Sequence, residues 1–431
     1  MPVFAVRPCY DAGQIEGHGM SGAPKRIVIV GAGQAGGQAA YSLRLGGFDG
    51  GITLIGDEPA PPYQRPPLSK AYLKGELEAE RLFLKPLDYY SEHRIDLITG
   101  GAATAIDLAA QQVTLANGRT LGWDRLVVAT GTRPRRLTLP GADLAGVVEL
   151  RTLADVDRLK ALAVAGARMV VVGAGYIGLE AAAVGRQLGL AVTVLEAMPQ
   201  VLSRVAGPEI GAFYTRLHRE AGSDVRLSVR VEGFEGEGRV SGVRLAGGEV
   251  IAADFVLVGV GVVPNMELAL EAGLACGNGI VVDAAMRTSH PDVFAAGDVA
   301  WRPLVHYGRE GRLESVHNAI EGGKLVAAAI LDAPPPTIEA PWFWSDQFDV
   351  KLQTAGLWTG SDETVVRGEP GSGAFAVFYL KEGRVIAVDA VNSGPEYIVG
   401  KRLVAAMAMV APADLADKSI SMKDIGARAS S

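Results

Sequence analysis

The stretch that decides the fold is Gly31-Ala32-Gly33-Gln34-Ala35-Gly36, and Gly173-Ala174-Gly175-Tyr176-Ile177-Gly178 repeats its pattern 142 residues later. Each stretch follows a β-branched run, Ile27–Val30 or Met169–Val172, and each opens a segment of small residues. In such a strand–loop–helix unit the first glycine allows a tight turn and the second lets backbone N–H groups approach a pyrophosphate. The third glycine lets the helix pack closely on the strand. One motif is a weak signal, but two in this context predict two bound dinucleotides with electrons passing between them.

The segments after each motif predict a duplicated α/β unit. In the first unit we expect a helix over 36–45 and a strand over 52–55, and in the second a helix over 178–188 and a strand over 191–195. Alternation of this kind is typical of parallel sheets with crossover helices. Three later strands are expected to close the first unit rather than extend the second, and they begin at Leu126, Phe255 and Val293.

A separate C-terminal domain is predicted after the proline run Pro334-Pro335-Pro336. The composition then becomes rich in Trp and Phe, alternating strands follow over 374–380 and 385–391, and a final helix is expected over 396–410. These features indicate an α+β domain. A length of 431 residues agrees with two or three domains.

Composition excludes several classes of function. The formal charge of −7 argues against non-specific binding of nucleic acid, and no apolar run approaches the ~18 residues of a membrane span. Cys9 and Cys276 are the two cysteines and form no C-x-x-C pair, so we expect neither a disulfide framework nor a redox dithiol, and a cytoplasmic protein. The histidines show no metal-ligand spacing, so no metal site is predicted.

The residue that ends the second strand of each unit indicates which nucleotide binds. In the second unit this residue is Glu196, and no Arg or Lys follows it until Arg204. A carboxylate there accepts the adenosine ribose hydroxyls and repels a 2′-phosphate, so we predict NADH rather than NADPH. In the first unit the acid is displaced by a residue or two, which leaves Asp57 and Glu58 as alternatives.

Several further strings carry a resemblance to a known family. The most diagnostic are Pro66-Pro67-Leu68-Ser69-Lys70 and Trp344-Ser345-Asp346-Gln347. The others, in chain order, are Ala129-Thr130-Gly131, Gly259–Asn265, Ala296-Gly297-Asp298 and Glu314–Ala319. Together they resemble the FAD- and NADH-dependent ferredoxin reductases of bacterial oxygenase systems, in which two glutathione-reductase-type Rossmann domains carry a C-terminal α+β domain.

The resemblance implies a role for each matching position. Asp298 would accept a hydrogen bond from the ribityl chain of FAD and cap the following helix, while Arg65 and Lys70 would lie beside the isoalloxazine. Lys70 and Glu180 would form a catalytic ion pair near flavin N5, and Trp344 would lie over the flavin region. The FAD-binding set is Gly31, Gly33, Gly36, Asp57, Glu58, Arg65, Lys70, Ala129, Thr130, Gly131, Arg133, Gly297, Asp298, Val316 and Trp344. The NADH-binding set is Gly173, Gly175, Tyr176, Ile177, Gly178, Glu180, Glu196 and Gly261.

The resemblance also implies a division of the chain. We expect an FAD-binding domain over 24–134 and 266–335, an NADH-binding domain over 135–265, and the C-terminal domain over 336–431. Residues 1–23 are expected to be a disordered tail without the apolar core of a signal peptide, and Met20 is an alternative start.

A missing thiol distinguishes this chain from relatives of the same fold. Disulfide reductases keep a cysteine pair beside the flavin and peroxidases keep one cysteine, whereas residues 63–74 contain none. Electrons are therefore expected to leave for an external acceptor, a [2Fe–2S] ferredoxin that feeds an oxygenase such as a cytochrome P450. Rubredoxin reductase, NADH oxidase or peroxidase, and a non-enzymatic NADH-sensing flavoprotein remain alternatives. We expect a monomer or weak dimer.

Basic residues that could steer an acidic ferredoxin fall in three clusters. A charge reversal at Arg309 or Arg312 is predicted to raise the KM for ferredoxin without changing flavin reduction. The clusters are Arg133, Arg135 and Arg136; Arg302, Arg309 and Arg312; and Lys401 with Arg402.

Overall fold

A computed structural model describes residues 24–429 of the chain. The expectations for the tail, for Cys9 and for a start at Met20 lie outside the described residues. Within them, the two glycine motifs each join the central strand of a five-stranded parallel sheet to a helix, so the duplicated α/β unit is present.

The first sheet contains the strand before Gly31 at its centre. The strand pairs run in register, with Ile27 opposite Ile52 and Val28 opposite Leu126. Apolar side chains on both faces are buried because crossover segments cover the sheet. In sheet order the strands are Val293–Ala295, Arg125–Val128, Arg26–Val30, Gly51–Ile55 and Ile95–Ile98.

The second sheet repeats this arrangement around the strand before Gly173. In order its strands are Asp224–Arg226, Ala191–Leu195, Arg168–Val172, Phe255–Val258 and Val147–Val148. The prediction that the strand beginning at Phe255 closes the first unit is wrong. This strand pairs in parallel with Arg168–Val172, Met169 lying opposite Phe255, and so takes the place that Arg125–Val128 holds in the first sheet.

Smaller sheets surround the two parallel ones, and their strands pair antiparallel except that Gly279–Val281 pairs with Ala300–Leu304 in parallel. Thr132–Pro134 pairs with Val262–Pro264, at the predicted bounds between the first two domains, and those bounds stay a prediction. The remaining small sheets comprise Ala103–Asp107, Gln112–Leu115 and Thr120–Gly122; Val231–Glu237, Arg239–Leu245 and Val250–Ala252; and Cys276–Gly277, Gly279–Val281, Ala300–Leu304 and Arg309–Gly311.

The C-terminal domain is a five-stranded antiparallel sheet with helices. Its apolar side chains form a core of their own and also join the core of the second sheet, where Phe375 contacts Phe213. Its last long helix ends at Ala405 instead of residue 410, because the chain turns at Met407, whose φ of 47° is left-handed. In sheet order the strands are Trp342–Gln347, Val350–Gly356, Arg384–Val391, Ala374–Lys381 and Glu363–Glu369.

The α-helices of the described residues connect these sheets. They are Gln34–Leu45, Leu87–Glu92, Leu153–Leu162, Tyr176–Gln187, Pro208–Glu220, Glu267–Glu271, Val316–Ile330, Gly394–Ala405, Pro412–Ala416 and Met422–Arg428. None of the helices within residues 24–429 combines the length and the apolar character needed to cross a membrane.

Candidate active site

A cleft of about 1320 Å³ joins the two glycine motifs and the C-terminal domain. It exceeds the ~300–1,000 Å³ of ordinary small-molecule pockets, as a site for two dinucleotides requires. Every residue predicted to bind FAD or NADH lines this cleft except Gly36. Gly36 lies behind the turn, where a Cβ atom would collide with the carbonyl oxygen of Gly31, which is the packing role predicted for it.

Both glycine turns fit a pyrophosphate. Gly33 and Gly175 are the N-cap residues of their helices, no side chain caps either helix, and the first residues of each helix line the cleft. A Cβ atom built at either glycine would meet no protein atom within 4 Å, so the space above each turn is free for a ligand. Gly31 and Gly173, with φ of 113° and 101°, adopt a backbone conformation that favours glycine.

The two strand ends differ in how they present a carboxylate. Glu196 follows its strand directly, and its two carboxylate oxygens accept hydrogen bonds from the backbone N–H groups of Ala174, at 2.7 Å, and Met198, at 2.9 Å. These bonds fix the carboxylate beside the second glycine turn. In the first repeat Gly56 occupies the equivalent position, since Val30 pairs with Ile55 as Val172 pairs with Leu195.

Glu58 and Asp57 both line the cleft, but their surroundings are different. Glu58 pairs with Arg65 at 2.6 Å and accepts a hydrogen bond from the Tyr63 hydroxyl at 2.6 Å, whereas Asp57 is exposed. Arg65 also donates to the carbonyl oxygen of Arg151 at 2.6 Å. The structure therefore brings together Arg65 and Glu58, which the sequence analysis assigned to opposite ends of FAD. The choice between Asp57 and Glu58 as the ribose ligand stays open.

Asp298 lies in the cleft opposite a residue that the sequence analysis missed. Arg151 approaches its carboxylate to 3.6 Å, and the Thr132 hydroxyl approaches it to 3.4 Å. Burial raises the pKa of Asp298 and Arg151 opposes that rise. No motif marks Arg151 in the sequence, because it follows a two-residue strand, Val147–Val148.

The prediction that Asp298 caps a following helix is wrong. Gly297–Val299 is a single 3₁₀ turn, and the chain then continues as the strand Ala300–Leu304, which pairs with Gly279–Val281. The helix that points at the cleft begins at Val316, and its cap is Ser315, whose hydroxyl accepts from the N–H of Asn318 at 3.1 Å.

Lys70 and Glu180 form the ion pair that the resemblance implied. Lys70 Nζ lies 2.7 Å from Glu180 Oε2, and the Glu180 side chain is 4 % exposed. The same oxygen accepts a hydrogen bond from the Ser69 hydroxyl at 2.5 Å, and Oε1 accepts one from the Ser345 hydroxyl at 2.7 Å. The two most diagnostic strings of the sequence thus meet on one carboxylate, a role for Ser69 and Ser345 that sequence reasoning missed.

Aromatic side chains form one wall of the cleft beside this ion pair. Trp344 lies against Trp342, with ring centroids 5.8 Å apart, and Phe343 lies against Tyr176 at 4.5 Å. Burial strongly raises the pKa of the Tyr176 hydroxyl, so this residue stays neutral. The wall joins the C-terminal domain to the second glycine turn.

The predicted basic clusters are only partly surface features. Arg302 is 4 % exposed and pairs at 2.8 Å with Glu321, which is also buried. Arg312 pairs with Glu314 and donates to the carbonyl oxygen of Asp298 at 2.7 Å. These two residues are structural, which corrects the prediction, whereas Arg309 is exposed at the rim of the cleft.

No cysteine lines the cleft within the described residues. Cys276 lies in a short strand away from it, and burial raises the pKa of its thiol, so it is a poor nucleophile. Groups of three or more His, Cys, Asp or Glu side chains suited to a metal are likewise absent from residues 24–429.

Comparison with known proteins identifies the family. Residues 25–323 match the pyridine nucleotide-disulphide oxidoreductase family, and residues 342–426 match the reductase C-terminal domain. The chain belongs to this family. The predicted fold class and the resemblance are both confirmed.

Individual relatives resemble the chain over nearly its whole length. It is 45 % identical over 400 residues to the probable ferredoxin reductase CtmF of Castellaniella defragrans, covering 92 % of this chain and 98 % of the relative. It is 43 % identical over 409 residues to putidaredoxin reductase CamA of Pseudomonas putida, covering 94 % of this chain and 97 % of that one. The structure matches the reductase in a covalent putidaredoxin reductase–putidaredoxin complex with a TM-score of 0.93 and 43 % identity, covering 95 % of this chain and 100 % of that chain.

Proposed function

We propose that this protein is an NADH-dependent, FAD-containing ferredoxin reductase that passes electrons to a [2Fe–2S] ferredoxin serving an oxygenase. The observation that carries the proposal is the shared cleft. The cleft is lined by both glycine turns, the Lys70–Glu180 pair and an aromatic wall, and it contains no cysteine within the described residues. Relatives named ferredoxin reductase and putidaredoxin reductase align over nine-tenths of the chain.

The residues present fit FAD at the first glycine turn. Gly31, Gly33 and the start of helix Gln34–Leu45 would hold its pyrophosphate, and Asp298 would face its ribityl chain. Bound FAD supplies the chemistry, accepting a hydride from NADH and releasing electrons singly. Lys70 provides a fixed cation that favours negative charge nearby, and Glu180 holds that cation in place.

The second glycine turn is the proposed NADH site. Glu196 is held by two backbone N–H groups in the position from which it would accept the ribose hydroxyls. Tyr176 and Ile177 begin the helix that follows, and Ile177 is 40 % exposed to the cleft. Helix Tyr176–Gln187 also carries Glu180, so one element links the NADH turn to the ion pair.

The absence of a cysteine from the described part of the cleft distinguishes the proposed function from that of a disulfide reductase or a peroxidase. A disulfide reductase or peroxidase needs a cysteine to take the electron pair, and the cleft has none among its described residues. The test is to mix the purified holoprotein with NADH, a [2Fe–2S] ferredoxin and cytochrome c. Cytochrome c reduction that depends on ferredoxin supports the proposal, and replacement of the ferredoxin by rubredoxin tests the nearest alternative. Fast NADH consumption with oxygen alone would show an oxidase, and slow flavin reduction with long-lived NADH binding would show a sensor.

Arg309 is the proposed contact for an acidic ferredoxin. We also propose that the protein is cytoplasmic. Arg309 is exposed at the cleft rim, unlike Arg302 and Arg312. Arg309→Glu is expected to raise the KM for ferredoxin several-fold and to leave flavin reduction by NADH unchanged. Arg119→Glu is the matched control, because its side chain is 55 % exposed and does not line the cleft. An unchanged KM in Arg309→Glu would exclude this contact.

A further inference from the structure

A chain of hydrogen bonds runs from the Lys70–Glu180 ion pair into the protein and ends at a buried histidine. Glu180 Oε1 accepts from the Ser345 hydroxyl at 2.7 Å, and Ser345 Oγ lies 3.1 Å from Gln347 Nε2. Gln347 Oε1 lies 2.8 Å from His218 Nε2. Ser345 and Gln347 come from the first strand of the C-terminal sheet, whereas Glu180 and His218 come from two helices of the second repeat.

The charge on Glu180 sets the direction of every bond in this chain. An ionised carboxylate only accepts hydrogen bonds, so the Ser345 hydroxyl must donate its single proton to Glu180. Ser345 Oγ then accepts from the amide of Gln347, which turns the Gln347 carbonyl oxygen towards His218. That oxygen requires a proton on Nε2 of His218.

The surroundings of His218 suit this tautomer. The side chain is fully buried, and burial lowers its pKa, so the ring is neutral. Its Nδ1 atom finds no hydrogen-bond partner within residues 24–429, which leaves the bond to Gln347 as the contact that orients the ring. The Phe348 ring packs edge-on against the histidine at 5.1 Å.

This chain of hydrogen bonds holds Oε1 of Glu180, while other residues contact Oε2. Lys70 and Ser69 both approach Oε2, so without Ser345 the Oε1 atom would be buried and without a partner. An unsatisfied buried oxygen is costly, and the carboxylate would rotate or shift to avoid it. Ser345, anchored by Gln347, removes that freedom.

We propose that Ser345, Gln347 and His218 are positioning residues that hold the Glu180 carboxylate against Lys70, so that the C-terminal domain completes the site where NADH meets FAD. None of the three belongs to the residues predicted to bind FAD or NADH, and each acts through Glu180. The inference rests on the proposed function, which gives the Lys70–Glu180 pair its role.

Single substitutions in the holoprotein test the chain by the rate of flavin bleaching after anaerobic mixing with NADH. Ser345→Ala should slow bleaching roughly tenfold, the effect of losing one hydrogen bond to a charged group. His218→Leu should slow it about threefold, whereas His218→Gln, which keeps an N–H donor, should restore the rate. Ser372→Ala, in an exposed turn of the same domain, is the control and should change nothing. Equal rates for His218→Leu and His218→Gln would overturn the proposal.

A second measurement detects the chain of hydrogen bonds directly, without any reaction with NADH. Nitrogen-15 NMR of histidine-labelled protein should show His218 protonated at Nε2 in the unmodified protein. Glu180→Gln removes the group that sets the bond directions, so the His218 signals should move, although the two residues do not touch. Signals that stay unchanged in Glu180→Gln would contradict the proposed chain.

A double-substitution cycle separates this inference from the proposed function. If Ser345 acts through Glu180, Ser345→Ala should have no further effect on bleaching in the Glu180→Gln background. Additive effects would exclude the positioning role and leave the function intact. A normal bleaching rate in the single variant Glu180→Gln would instead show that the Lys70–Glu180 pair does not contribute to flavin reduction as the proposed function states.

Discussion

The two repeats share a backbone but differ at equivalent side chains. Gln38 and Glu180 occupy the same position, the fifth residue of the helix that follows each glycine turn. Gln38 bonds to Ser42 within its own helix at 2.9 Å, whereas Glu180 binds Lys70 and serines from two other segments. The same backbone thus carries two different sets of side chains. In the second repeat, Glu180 contacts residues of both the first repeat and the C-terminal domain.

The strand ends show the same divergence. Glu196 stands directly after its strand, and Gly56 stands at the equivalent point of the first repeat. A Cβ atom at Gly56 would lie 2.7 Å from the Cβ atom of Ala32, so the first repeat has no room for a side chain there. Its acids come later, at Asp57 and Glu58. The duplication therefore preserves the glycine turn and varies the residues that, in the proposed function, would contact the rest of each nucleotide.

The largest expected effect comes from filling the space above each turn. Gly33→Ala and Gly175→Ala each add a methyl group that meets no protein atom within 4 Å, at φ of −89° and −78°, so both variants should fold. Gly33→Ala should lose bound FAD, and Gly175→Ala should keep FAD but bind NADH at least tenfold more weakly. The ratio of flavin to protein absorbance and the KM for NADH measure the two outcomes. Loss of FAD in Gly175→Ala would reverse the assignment of the sites.

The next effect concerns the matched helix positions. Glu180→Gln should slow flavin reduction by NADH roughly tenfold, because Lys70 loses its charged partner. Gln38→Ala, at the same position of the first repeat, should leave the rate unchanged. Stopped-flow absorbance of the flavin measures both. Similar rates for the two variants would mean that the repeats do not differ as proposed.

An effect of similar size is expected at the end of the second strand of the second repeat. Glu196→Ala should lower kcat/KM for NADH about tenfold and narrow the preference for NADH over NADPH, since the ribose acceptor and its repulsion of a 2′-phosphate are both lost. Steady-state ferredoxin reduction with each coenzyme gives the ratio. An unaltered ratio would show that Glu196 only ties down the backbone of Ala174 and Met198.

The smallest effect concerns stability where the C-terminal domain packs on the second repeat. Burial raises the pKa of Asp389 to about 7, while the hydrogen bond from the Tyr379 hydroxyl, at 2.8 Å, opposes the rise. The unfolded chain loses this proton near its ordinary value of 3.8. The folded protein therefore binds more protons between these values, and its stability should fall as pH rises through that window.

Asp389→Asn should flatten this decline. Asparagine keeps an oxygen that accepts from Tyr379 and cannot ionise. Urea unfolding of both proteins between pH 4 and 7, the window set by Asp389, gives the comparison. An identical pH dependence for the two proteins would place the titrating group elsewhere.

The sequence allowed the parallel sheets, both glycine turns and the acidic residue at the end of the second strand in each repeat to be predicted, because their signals are local. The glycine spacing encodes the turn, and β-branched runs such as Ile27–Val30 encode buried strands. The Lys70–Glu180 pairing came from the family resemblance, since no local pattern joins residues 110 positions apart. Ser69 and Ser345 were missed for the same reason.

Other errors arose where tertiary contacts decided the outcome. The strand beginning at Phe255 looks like any buried strand, and only pairing with Arg168–Val172 places it in the second sheet. Arg302 and Arg312 read as surface charges, but each found an acidic partner, Glu321 or Glu314. Asp298 reads as a helix cap, yet the chain after it extends into a strand.

The central claim is that electrons enter at the second repeat, pass through FAD at the first, and leave the chain one at a time. An anaerobic titration tests it most directly. One equivalent of NADH should bleach the flavin of the holoprotein, and two equivalents of oxidised [2Fe–2S] ferredoxin should then restore its colour, since each accepts a single electron. Flavin that stays bleached with ferredoxin and recovers only when oxygen is admitted would contradict the account.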